Sequence, residues 1–100
     1  MDSSELKALN SIQVRIHGDS MWPTFKDGDF ADADANIEPV VGDIVVVKHP
    51  FKNISIVKRI KRISDQYLFV EGDNPDPTGS DDSHNFGLIP TSAIIAVIRS

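Results

Sequence analysis

Two neighbouring stretches, GDIVVVKHP at residues 42–50 and NISIVKRIKRIS at residues 53–64, decide how this chain folds. The first holds an unbroken apolar run from Ile44 to Val47, too short for a helix and rich in β-branched side chains. It predicts a buried strand over 43–49, stopped by Pro50, which has a fixed φ and no N–H. The second is also β-branched, but its apolar positions Ile54, Ile56, Val57, Ile60 and Ile63 drift from period two. A strand with a bulge or a strong twist is expected there.

Outward from this pair the chain reads as more short strands. IQVRIH alternates apolar and polar from Ile12 to His17 and ends at Gly18, and GDFADAD leaves Gly28 as a short strand. QYLFVEG and AIIAVIR are further strands. Residues 21–28 contain Pro23 and form a turn or one short helical turn, while the Gly, Pro and Asp of residues 72–79 predict a loop. Residues 1–11 are expected to be a flexible N-terminal tail, or at most a single helical turn, before one domain over 12–100. The expected fold is mostly β, with short antiparallel strands in a closed or partly closed, barrel-like arrangement. A parallel α/β architecture has no room for its crossover helices.

Bulk properties narrow the function. One hundred residues, 40% hydrophobic and 25% charged, make one globular domain able to bury a modest core. With no cysteine there is no disulfide framework and no thiolate nucleophile. A net charge of −5 argues against a dedicated nucleic-acid binder, although six of the ten Lys and Arg residues lie between Lys48 and Arg62. That run is read as mostly solvated strand face. No apolar run approaches a bilayer span, and the polar start MDSSELKALN resembles neither a signal nor a transit peptide. A cytoplasmic protein without a membrane anchor is expected.

GDSMWPTF, residues 18–25, raises the chemical question. Ser20 is a nucleophile only if something takes its proton. His17, His49 and His84 are candidates, but no spacing favours a Ser-His-Asp triad, and each reads as a surface or hydrogen-bonded polar residue. Nor do these scattered histidines suggest a metal site, and no cofactor is expected. Lysine is the other option. Its ordinary pKa of about 10.4 must fall to roughly 7–8, which means destabilising the ammonium by about 4 kcal/mol through burial. Lys58, set among Ile54, Ile56, Val57 and Ile60, has the most aliphatic surroundings; Lys48, Lys52 and Lys61 have more polar neighbours or sit at a strand end. On residue chemistry alone, an outward, solvated Lys58 is still the simpler reading.

A family resemblance changes the weighting. GDSMWPT resembles the nucleophile box of the signal peptidase I superfamily, and DGDF its next box. GDIVVVKHP followed by ISIVKRI resembles the segment bearing the general-base lysine, and GDNPDPTGSDDSHNFGLIP the last box. The four occur in the family's order across residues 14–98. The resemblance implies a Ser-Lys serine endopeptidase in which Ser20 attacks and Lys58 is the base. It implies that Ser80 orients the lysine, that Met21 helps to keep the pair dry, and that Asp82 and Ser83 are a structural pair. The Ser20 N–H would stabilise the oxyanion, a contribution of about 3–4 kcal/mol in a well-formed site.

Two positions depart from the pattern. Gly18 stands where many relatives carry a hydroxyl that assists the oxyanion hole. His84 stands where arginine is usual, so its ion pair with the aspartate is expected to be weaker or pH-dependent.

Within the superfamily, membrane signal peptidases carry anchors and a large extra domain that do not fit here. Self-cleaving SOS-type repressors need a scissile Ala-Gly or Cys-Gly upstream, and the 19 residues before Ser20 contain neither. Cleavage in trans is therefore expected. The compact chain resembles the branch that matures nickel-type superoxide dismutase, which implies the N-terminal extension of that precursor as the protein substrate. The competing reading is a non-enzymatic or self-cleaving repressor-like β regulatory module. The non-enzymatic form predicts a solvated Lys58, whereas the peptidase needs that side chain buried beside Ser20. Nucleic-acid binding through the Lys48 to Arg62 run is a third reading, disfavoured by the acidic remainder.

Overall fold

The computed structural model describes residues 11–76, 78 and 81–99. It contains seven strands: β1 (Ser11–Arg15), β2 (Phe30–Asp34), β3 (Ile44–Lys48), β4 (Ser55–Ser64), β5 (Tyr67–Glu71), β6 (Ile89–Pro90) and β7 (Ile94–Ile98). A one-turn helix, α1 (Ser83–Phe86), and a 3₁₀ turn at Thr91–Ala93 complete the described elements. Every strand pairing is antiparallel, and the sheet order is β1-β2-β7-β3-β4-β5-β6. The mostly β, antiparallel class read from the sequence holds. The sheet is open rather than closed, with β1 and β6 at its two ends.

The continuous apolar run of β3 has a geometric cause. Side chains alternate across a strand, and β3 is central, with a neighbour on each side and a core on each face. Val46 joins one core with Ile16, Met21, Phe25 and Ala33, while Val45 and Val47 join the other with Ile60, Leu68, Val70 and Ile89. A half-buried strand would need alternation; this one needs apolar residues at every position.

β4 explains the drifting periodicity. Its first half pairs with β3, from Ser55↔Lys48 to Arg59↔Ile44. Its second half pairs with β5, where the register shifts between Ile60 and Arg62. That irregularity is the bulge expected from the sequence. The β4–β5 hairpin closes through Asp65 and Gln66, with Asp65 at φ +53°, a conformation that aspartate tolerates better than most residues. The basic run of β4 and its flank does not form one surface. Lys58 is buried, Arg59 is engaged by Asp73, and the Arg62 guanidinium lies 4.7 Å from the centre of the Phe69 ring.

His49 organises the loop between β3 and β4. Its Nδ1 accepts the N–H groups of Phe51 (3.0 Å) and Lys52 (3.1 Å), and its Nε2 lies 2.8 Å from Asp81 Oδ2. With Nδ1 engaged as an acceptor, Nε2 carries the proton and donates to Asp81. This is the hydrogen-bonded polar role read for the histidines.

Leu68, fully buried in the second core, offers a direct check of this packing. Leu68→Ala is expected to lower stability by about 2–5 kcal/mol in urea unfolding. Val40→Ala, at an exposed position, should stay within about 0.5 kcal/mol of the parent.

Candidate active site

Ser20 lies in the segment that links β1 to β2. The ends of this segment are drawn together by Ile16 N–H to Asp29 C=O (2.7 Å) and Gly28 N–H to Ile16 C=O (2.8 Å). Inside it, Trp22 N–H donates to Asp19 C=O (3.1 Å) and Phe25 N–H to Met21 C=O (2.9 Å), so residues 21–28 form a turn, with a cis Trp22–Pro23 peptide, rather than a helical turn. Met21 and Phe25, four residues apart, are both buried in the first core and anchor the turn. Ser20, one residue before the anchor, stays half-buried at the surface of a cleft.

Gly18 has a conformational reason to be glycine. Its φ is +79°, which a side chain would strain, and its N–H donates to Asp27 Oδ1 at 2.8 Å. No neighbouring atom lies within 4 Å of where a Cβ would stand, so the constraint is the backbone rather than space.

The decisive distance is 2.9 Å, between Lys58 Nζ and Ser20 Oγ. Lys58 is only 4% exposed. On β4 it shares a strand face with Ile56 and Ile60, and it pairs in register with Val45. Burial pushes its pKa below the usual lysine value, opposed by the nearby negative charges of Asp82 and Asp81. The aliphatic setting inferred from the sequence is therefore where the side chain sits, and the solvated alternative does not describe it.

The cleft in front of this pair has a volume of about 360 Å³. It is lined by Val14 to His17, by Ile54 to Lys58, and by Met21 and Val46. Over Ser55 to Lys58, β4 is paired only with β3, because β5 begins its pairing at Arg59↔Glu71. The opposite edge of this stretch carries no strand among the described residues. His17 lines the same cleft, but the polar contact to Ser20 Oγ comes from Lys58. His49 and His84 do not line it.

Two groups of contacts support the pair. Asp82, buried, caps α1: its carboxylate accepts the N–H groups of His84 (3.0 Å) and Gly72 (3.1 Å), while Asn85 Oδ1 accepts the Asp82 N–H at 3.2 Å. Ser83 Oγ accepts the Val70 N–H at 2.9 Å. Asp82 and Ser83 thereby tie α1 to β5 and the residue after it. The His84 ring meets Glu71 at 3.3 Å, and it is the main-chain N–H of His84 that serves Asp82. Ser80, the expected orienter of the lysine, lies outside the described residues.

The second group was not singled out by role in the sequence. Arg59 donates from Nε (2.8 Å) and Nη2 (2.7 Å) to the two Asp73 carboxylate oxygens, and from Nη1 to Gly42 C=O (2.7 Å). Thr24 Oγ1 donates to Asp73 Oδ2 at 2.6 Å. The Arg59 fork holds the Asp73 carboxyl below its ordinary range, with Thr24 contributing in the same direction. Asn74 then reaches the backbone at Ser20. The Gly-Asp-Asn at residues 72–74 was visible as part of a box, but its partners lie 14 to 55 positions away and leave no local signal.

Among the described residues no cluster of His, Asp or Glu side chains could hold a metal ion, and no helix is long and apolar enough to cross a membrane. Residues 2–86 match the Peptidase S24-like family, and no curated protein matches the chain.

Two measurements check the electrostatics without relying on activity. Titration of the Lys58 side chain by ¹³C NMR should give a midpoint below the ordinary lysine value, and Asp81→Asn, which removes a raising charge, should move it lower still. Because the buried site disfavours the proton that unfolded Lys58 would bind, the unfolded state binds more protons between the two pKa values, and stability rises with pH there. Lys58→Met should accordingly raise the melting temperature at neutral pH; an unchanged or lower value would show that the ammonium is comfortably accommodated.

Proposed function

The chain belongs to the Peptidase S24-like family, a family of serine peptidases, and on that premise we propose that it is an endopeptidase working through a Ser20–Lys58 dyad. The observation that carries this reading is the 2.9 Å approach of a buried Lys58 Nζ to Ser20 Oγ. Neutral Lys58 accepts the Ser20 proton as Oγ attacks the scissile carbonyl carbon. The resulting oxyanion is met by the backbone N–H of Ser20. The Lys58 ammonium then gives its proton to the departing amine, the C–N bond breaks, and an acyl ester remains on Ser20. Water, deprotonated by Lys58, hydrolyses that ester, and the proton returns to Ser20.

The edge of β4 at Ser55 to Lys58, which carries no strand among the described residues and lines the cleft together with Val14 to His17, suits an extended peptide that adds main-chain hydrogen bonds to the sheet. Cleavage in trans, in the cytoplasm, of the N-terminal propeptide of a nickel superoxide dismutase precursor is the substrate assignment we favour. It rests on the resemblance of the compact chain to that branch, the boxes themselves resembling the Ser-Lys superfamily as a whole. Self-cleavage of the repressor kind is the second reading, because the family match supports the superfamily that includes both.

Incubation of the precursor with wild type, Ser20→Ala and Lys58→Ala tests these statements. Wild type should release the propeptide, and either variant should lower the rate by about 10³-fold or more. The rate should rise with pH through the lowered Lys58 pKa, since only the neutral amine is a base. Cleavage that survives both substitutions refutes the dyad. A precursor left intact by wild type refutes the substrate.

A further inference from the structure

Asn74 holds the backbone on both sides of the nucleophile. Its main-chain N–H donates to Ser20 C=O at 3.0 Å, and its carboxamide Nδ2 donates to Asp19 C=O at 2.8 Å. The orientation of the carboxamide is fixed as well, because Oδ1 accepts the Asp76 N–H at 2.9 Å. The residue itself rides on a loop locked through Asp73 to Arg59 on β4 and to Thr24 in the nucleophile turn.

The consequence follows from peptide planarity. The Asp19–Ser20 and Ser20–Met21 peptides are trans, so each N–H points opposite to its partner carbonyl. Drawing the Asp19 oxygen towards Asn74 turns the Ser20 N–H away from it, and drawing the Ser20 oxygen does the same for the Met21 N–H. Neither N–H donates to an acceptor among the described residues, although the carbonyls of both peptides are engaged. An unengaged amide beside a nucleophilic hydroxyl is the feature that an oxyanion requires, and its value depends on being aimed before the charge develops. Gly18 offers no hydroxyl to share the task.

We propose that Asn74 is a positioning residue for the oxyanion: its two hydrogen bonds to the carbonyls of Asp19 and Ser20 hold the Ser20 N–H free and aimed at the developing charge. This rests on the Ser20–Lys58 reading. It assigns Asn74 no contact with substrate and no proton to transfer.

The test uses 1-acetamidoethylboronic acid with the full chain. Ser20 Oγ bonds to boron, its proton passes to Lys58 Nζ, and the tetrahedral boronate places an oxygen where the oxyanion would stand. In wild type the Ser20 amide proton should move downfield on adduct formation. Asn74→Ala should weaken boronate binding by at least about tenfold and abolish that movement, while the Lys58 titration midpoint stays in place. Asn74→Asp, of the same shape and still able to accept from Asp76, removes the donor to Asp19 and should show the same two losses. Variants that bind as tightly as wild type with the same amide movement overturn the inference and leave the dyad standing. A moved Lys58 midpoint in Asn74→Ala also overturns it, since the residue would then act through the base. Absence of any wild-type adduct overturns the dyad and the inference together. Should both variants fail to fold, wild type alone decides: one Asn74 carboxamide proton must exchange slowly with solvent, and rapid exchange of both refutes the clamp.

Discussion

A lysine ammonium is strongly hydrated, and the site around Ser20 depends on denying it that water. Lys58 is held on a strand between two isoleucines, against the hydroxyl it faces and with little access to solvent. Desolvation favours the neutral amine, while Asp81 and Asp82 pull the other way. The balance matters for the proposed dyad, because a lysine with no opposing charge would bind a proton too weakly to draw one from a hydroxyl. The carboxylates are themselves occupied: Asp82 by the cap of α1 and the Gly72 amide, and Asp81 by His49. Their field reaches Lys58 from fixed positions.

Holding Ser20 against this base is a separate mechanical problem, solved by one short loop. Residues 72–74 follow β5, which is paired to β4, and they reach across to the turn that carries the nucleophile. Arg59 adjoins Lys58 in sequence, and its side chain binds Asp73. Lys58 and Ser20 are thus linked through Arg59, Asp73, Thr24 and Asn74, a route separate from their own direct contact. Because the Arg59–Asp73 pair is bidentate and only partly exposed, it is of the kind whose geometry is specific rather than incidental.

Much of this was legible in the sequence, for reasons that can be named. The Val45-Val46-Val47 run and the period-breaking β4 pattern are local records of burial on both faces and of a change of partner strand. Ser20 and Lys58 were singled out through the family resemblance of their boxes; the contiguous aliphatic run made Lys58 a possible base but left a solvated side chain as the simpler reading. β6 and α1 were not, since two and four residues carry no periodicity. Asn74 was missed as a functional residue for a different reason. Its chemistry lies in which carbonyls it meets, and contacts over 50 positions leave no trace in spacing. Whether the sheet closes fully or only partly was left open by the sequence, because strand count and alternation are alike for a curled sheet and a closed one.

The two cores lie on opposite sides of β3, and the site draws on both. Ser20 is carried by Met21 and Phe25 of one, and Lys58 stands in line with Ile56 and Ile60 of the other. The approach of these two side chains is therefore interlocked with both halves of the sheet: a peptidase of the proposed design would need both cores formed at once.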